Sequence, residues 1–134
     1  MTGDRAWYLD TSVALFLMLR QSRSALDWYA TTAADTVASS RLLSLECARV
    51  LRRDGLDPAI AEQLTEEIVL LNVDNRLLAE AAAIGPHVKT LDALHLASAM
   101  RLGVDGVTLV THDRTMLAVG HALGFEVLDP VAHA

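Results

Sequence analysis

Short apolar runs alternate with longer amphipathic stretches along this chain, and that alternation most restricts its fold. Ala6 to Asp10 reads as a first strand, followed by helices from Ser12 to Arg20 and from Ser24 to Ala33. Thr36 to Ser39 is a second strand. Arg41 to Arg53 is a helix closed by Asp54-Gly55, with the glycine just past its end. Asp57 and Pro58 supply the cap and first residue of a helix reaching about Glu67. Val69 to Val73, Gly106 to Val110 and Phe125 to Leu128 are the remaining strands, and Asn75 to Ile84, Thr90 to Leu102 and Asp113 to Leu123 the remaining helices. Strands separated by helices return parallel through right-handed crossovers. The expected product is an α/β fold, a three-layer α/β/α sandwich around a parallel sheet of about five strands.

The length of 134 residues suits one domain over residues 1–134, with no repeat or linker. A 52% hydrophobic composition is too rich in core-forming residues for a disordered chain. Val13 to Leu19 is far shorter than a ~20-residue membrane span, and the first ten residues lack a basic-then-apolar export pattern. A cytoplasmic location away from membranes is the expectation, and the lone Cys47 suits a reducing compartment. The net charge of −6 disfavours simple coating of a polyanion. Arg41, Arg49, Arg52 and Arg53 nevertheless fall close together, either as a local phosphate-binding stripe or as a solvated helix face.

In a parallel sheet, ligands bind beyond the carboxyl ends of the strands. Asp10 ends the first strand and Asp113 follows the fourth, although each is also placed to cap a helix. Asp92 lies in the first turn of a helix that is apolar on most sides, where a carboxylate needs a partner. Glu46 borders the apolar stripe of Leu43, Cys47, Val50 and Leu51, with an ion pair to Arg49 or Arg53 as the plain alternative. If all four acids converge, a cation is required, because two carboxylates ~5 Å apart repel by ~3 kcal/mol at an effective dielectric near 20. Oxygen donors alone select a hard ion, Mg²⁺ or its substitute Mn²⁺, and such an ion serves phosphodiester hydrolysis.

Four short motifs, in this order, carry a family resemblance. They are Tyr8-Leu9-Asp10-Thr11-Ser12, Ser44-Leu45-Glu46 with Arg49, Leu91-Asp92-Ala93-Leu94-His95-Leu96-Ala97, and Val110-Thr111-His112-Asp113. Together they cover almost the whole chain, which resembles the PIN-domain ribonucleases, in particular the VapC-type toxins of bacterial toxin–antitoxin pairs. The resemblance implies a Mg²⁺-dependent endoribonuclease with Asp10, Asp92 and Asp113 as metal ligands and Glu46 completing the catalytic ring. It also implies Thr11, Ser12 and Thr111 as hydroxyls holding carboxylates or a substrate phosphate, a homodimer, an RNA substrate and a VapB-type antitoxin. Family members often carry another acid at the position occupied here by Thr115, so one tightly bound ion is expected, with any second recruited by RNA.

Arg114, beside Asp113, is a candidate for substrate phosphate. His95 shares a helix face with Asp92 but reads as a packed histidine near the pocket, His112 as a surface residue, and Trp7 and Trp28 as core or dimer contacts. Two other functions stay open. A PIN-like binding module without catalysis would have lost acids, and none is missing. A phosphorylation receiver domain needs a lysine ending a late strand, whereas the sole lysine, Lys89, precedes a helix.

Overall fold

The computed structural model describes residues 5–132. Its elements run β1 (Ala6–Leu9), α1 (Thr11–Met18), α2 (Arg23–Ala30), β2 (Thr36–Ser40), α3 (Arg41–Arg53), a 3₁₀ turn (Pro58–Ala61) leading into α4 (Glu62–Glu67), and β3 (Val69–Leu71). The chain continues through α5 (Asn75–Ala82), α6 (Thr90–Met100), β4 (Val107–Val110), α7 (Arg114–Ala122) and β5 (Glu126–Leu128). The strands form one sheet in the order β3-β2-β1-β4-β5, with every pairing parallel.

The α/β expectation therefore holds, with element ends shifted by one to a few residues, mostly inward. The second helix stops at Ala30 rather than Ala33, because the hydroxyls of Thr31 and Thr32 bond back to the Trp28 and Tyr29 carbonyls and close the last turn. The helix expected from Pro58 opens as a 3₁₀ turn, with the Asp57 side chain accepting from the Ala59 N–H at 3.0 Å. Gly55 and Gly124 follow α3 and α7 with φ of 73° and 101°, a conformation that costs glycine little.

Alternation along β1 divides the core. Trp7 and Leu9 pack with Val13, Leu17, Leu43, Cys47 and Val110 on one face, while Tyr8 packs with Leu96, Leu109, Met116 and Phe125 on the other. The two tryptophans meet edge to face at 5.5 Å within the first layer, and Trp7 Nε1 donates to Asp35 at 2.9 Å. Cys47 is fully buried, and burial pushes its thiol up to about 12. Among the described residues no helix is long and apolar enough to cross a membrane.

Candidate active site

From the central pair β1 and β4 the chain leaves in opposite directions, to β2 on one side and to β5 on the other. Such a reversal opens a crevice beyond the carboxyl ends of the two strands. Asp10 follows β1 directly, and Thr111, His112 and Asp113 follow β4.

Asp10 holds the chain together through its backbone. Its N–H donates to the Val110 carbonyl at 2.9 Å, and its carbonyl accepts from the N–H groups of Val13 and Ala14, both at 3.2 Å. The side chain takes no part in capping α1, which sets aside the simple cap role. Instead Oδ2 accepts from the hydroxyls of Ser12 at 2.9 Å and Thr111 at 2.7 Å. Both hydroxyls are themselves fixed, since the His112 N–H donates to Ser12 Oγ and the Asp113 N–H to Thr111 Oγ1. A carboxylate only 4% exposed is thus gripped at one oxygen, while Oδ1 lies 4.0 Å from His95 Nε2.

Glu46 reaches the same crevice from α3. Its Oε1 accepts from Thr11 Oγ1 at 2.7 Å and lies 2.6 Å from His95 Nε2. The ion pair with Arg49 or Arg53 does not form, and Arg53 turns to Asp54 at 3.1 Å. The i to i+3 spacing with Arg49 loses to two partners already buried in the crevice. Burial alone pushes the Glu46 carboxyl up. The hydrogen bond and charge of His95, with the Thr11 hydroxyl, outweigh it and hold the group below the usual carboxylate range.

Asp92 projects from the first turn of α6 and is half-buried. Its carboxyl is raised, first by burial, then by the charges of Asp10 and Asp113, with Glu46 adding to them and His95 opposing. The four acids therefore share one electrostatic environment. Asp113 is exposed and does cap α7, its Oδ1 accepting from the Met116 N–H at 3.0 Å, and Oδ2 has no hydrogen-bond partner among the described residues. Arg114 is exposed next to it without an ion pair among those residues, and so are Arg49 and Arg52.

Two groups escaped the sequence reading. Tyr8 hydrogen-bonds to His95 Nδ1 at 2.7 Å, so both ring nitrogens of this packed histidine are engaged. Asp129, beyond β5, holds His112 Nδ1 at 2.9 Å while Phe16 meets the same ring edge-on. The alternation of β1 placed Tyr8 on the α6 side, which was the available signal for the first link. Nothing in the spacing of Asp129 pointed to the second.

With both imidazole nitrogens engaged, the crevice offers oxygen donors, carboxylates with the hydroxyls of Thr11, Ser12 and Thr111 beside them. That donor set, and the acidic charges that add to burial in raising Asp92, fit a hard divalent cation. Among the described residues, no three acidic, histidine or cysteine side chains close around one point as a ready-made cage. Mg²⁺ does not need one, because it binds through one or two carboxylates and keeps several waters.

The raised Asp92 carboxyl has a stability consequence. A group whose folded pKa exceeds its unfolded value adds stability below the unfolded value, and that contribution is lost as pH rises through the folded one. In chelator at pH 7, Asp92→Asn is therefore expected to melt higher than wild type by roughly 1 kcal/mol or less, a few degrees, despite losing a favourable charge at the start of α6. The difference should close as pH falls below about 4. Thermal unfolding across pH measures it, and an equal gap at pH 3 and pH 7 would show that charge is not the cause.

The sequence pattern of the PIN domain matches residues 7–122. Ribonuclease VapC46 of Mycobacterium tuberculosis is 39% identical over 128 residues, which cover 93% of this chain and 98% of that protein. Ribonuclease VapC35 of the same species is 33% identical over 132 residues, covering 92% and 96%. Among solved structures, VapBC2 from Rickettsia felis bound to a promoter DNA fragment superposes with a TM-score of 0.71 at 13% identity, over 92% of this chain and 97% of that one. VapBC-1 from nontypeable Haemophilus influenzae gives 0.69 at 15%, over 93% and 98%.

Proposed function

Because this chain belongs to the PIN-domain family, we propose that it is a metal-dependent endoribonuclease toxin held inactive by a cognate antitoxin. What supports the reading is that Asp10 and Glu46 both approach His95, that Thr111 joins the Asp10 carboxylate to the Asp113 backbone, and that the charges of Asp10, Asp113 and Glu46 add to burial in raising the Asp92 carboxyl. Relatives covering nearly the whole chain are named ribonucleases, and chains of the same fold occur in VapBC complexes.

Asp10, Asp92 and Asp113 are the residues that would hold Mg²⁺ or Mn²⁺. When bound, the ion supplies charge neutralisation and Lewis acidity toward a phosphodiester. The protein's own contributions follow from the geometry. Ser12 and Thr111 grip Asp10 by Oδ2 and leave Oδ1 for the crevice. Glu46, gripped by Oε1, keeps Oε2 to orient an attacking water and accept its proton. Arg114 and Arg49, exposed and unpaired among the described residues, supply forked donors to the RNA backbone. Thr115, where an acid is absent, favours a single tightly held ion. The same proposal includes a homodimer.

The test uses purified, antitoxin-free protein and total cellular RNA, with Mg²⁺ or with EDTA, followed by sequencing of new 5′ ends. Discrete cuts present with Mg²⁺ and absent with EDTA are expected. Cuts that persist undiminished in EDTA would overturn metal dependence, and no cuts on any RNA class would favour a binding module instead. The receiver alternative is weakened further, since Lys89 stands at the cap position of α6 and not at a strand end.

A further inference from the structure

Tyr8, His95, Glu46 and Thr11 form one hydrogen-bonded chain linking β1, α6, α3 and α1. Tyr8 and His95 are 0% and 1% exposed, and the residues flanking His95 on α6 are Leu94, Leu96 and Ala97. A buried polar pair at such a position is costly unless it is satisfied, and apolar side chains of similar shape would serve packing as well. The pair therefore calls for a reason beyond packing.

Proton placement supplies one. An ionised carboxylate only accepts, so the 2.6 Å contact with Glu46 requires the proton on His95 Nε2. The Thr11 hydroxyl donates to the same oxygen. Both donors thus fall on Oε1, and Oε2 has no partner among the described residues. On the far side of the ring, Nδ1 lies 2.7 Å from the Tyr8 hydroxyl, so the imidazole is held at both nitrogens. The two rings also meet edge to face at 5.8 Å, which fixes the imidazole plane.

We propose that His95 is a positioning residue that holds Glu46 by one carboxylate oxygen so that the other faces the acidic crevice, with Tyr8 fixing the imidazole from behind. The proposal rests on Glu46 acting in the active site. It assigns His95 no contact with substrate and no proton transfer. Its effect is to remove rotational freedom from a carboxylate at the end of a flexible side chain, and the loss of such an outer partner typically costs 10–100-fold.

Two substitutions separate positioning from packing. The amide nitrogen of His95→Gln lies the same number of bonds from the backbone as Nε2, so it retains a donor for Glu46. His95→Asn places its amide at the Nδ1 position and does not reach Glu46. Cleavage of a defined RNA is expected to fall about 30-fold in kcat for His95→Asn and no more than about 5-fold for His95→Gln, with KM for RNA unchanged in both. Tyr8→Phe, close to isosteric and suited to its apolar surroundings, provides a variant expected to fold if the His95 variants do not, and should lose several-fold in kcat. A readout without catalysis accompanies these. In ¹⁵N–¹H spectra of the metal-free protein, the His95 Nε2 proton should exchange slowly, and Glu46→Ala should abolish that protection. Asp10→Asn is assayed in parallel. If Asp10→Asn is inactive while His95→Gln and His95→Asn fall equally, or neither falls, His95 is packing only and the proposal is overturned. If Asp10→Asn cleaves like wild type, the active-site reading fails and the proposal falls with it.

Discussion

Asp10→Asn is expected to slow RNA cleavage by on the order of 10³-fold, about 4 kcal/mol in the barrier, with little change in melting temperature. The substitution preserves shape and removes charge. Ser12 and Thr111 both carry hydroxyls that donate or accept, so the clamp on this side chain tolerates an amide in place of Oδ2. The backbone bonds of residue 10 to Val110, Val13 and Ala14 do not involve the side chain and remain. What disappears is the negative charge at Oδ1, the oxygen the clamp leaves free. Initial rates at saturating Mg²⁺, with thermal unfolding of the same preparation, separate the two effects. A folded variant that keeps more than a tenth of wild-type activity would remove Asp10 from the centre of the site.

The second large effect lies in the scaffold. Gly120 is buried in α7, and a Cβ there would stand 2.5 Å from Leu109 Cδ2 and 3.2 Å from Val127 Cγ1. The backbone of α7 therefore sits directly on β4 and β5. Alanine gains about 1 kcal/mol in helix propensity over glycine, but overpacking a fully buried Leu109 costs ~1–3 kcal/mol, so Gly120→Ala should be mildly destabilising. Gly120→Val adds two more carbons than Gly120→Ala and loses most of the propensity gain. Its expected cost is about 3 kcal/mol or more, a fall of roughly 10 °C in Tm. Because α7 begins just after Asp113, a helix lifted off the sheet also moves that carboxylate, and activity should fall even where the variant remains folded. An unchanged Tm for Gly120→Val would contradict this packing.

The architecture was legible because strand and helix periods differ, and five apolar runs separated by amphipathic stretches admit few other folds. Element ends were less so, since they depend on single hydroxyls such as those of Thr31 and Thr32. In the site, Asp92 was readable as an acid without an apparent partner on an apolar helix, and Asp10 and Asp113 by their places after strands. The environment of Glu46 was not. Spacing along α3 offers Arg49 and Arg53, whereas the partners it actually takes, Thr11 and His95, come from elements 35 and 49 residues away. Local sequence ranks neighbours along a helix and is silent about what crosses from another. The Asp129–His112 pair is hidden for the same reason, its members being separated by α7 and β5.

The clamp on Asp10 also sets a timetable. One of its hydroxyls is two residues away in the chain and the other is 101. At ~5–20 residues per second of synthesis, about 5–20 s pass between the emergence of Asp10 and that of Thr111. For the later part of that interval the first half of the protein carries both Asp10 and Glu46, yet has neither β4 to pair with β1 nor the second grip on the carboxylate. The grip on Asp10 is therefore completed late in synthesis, when β4 docks beside β1 and brings Thr111 to the carboxylate.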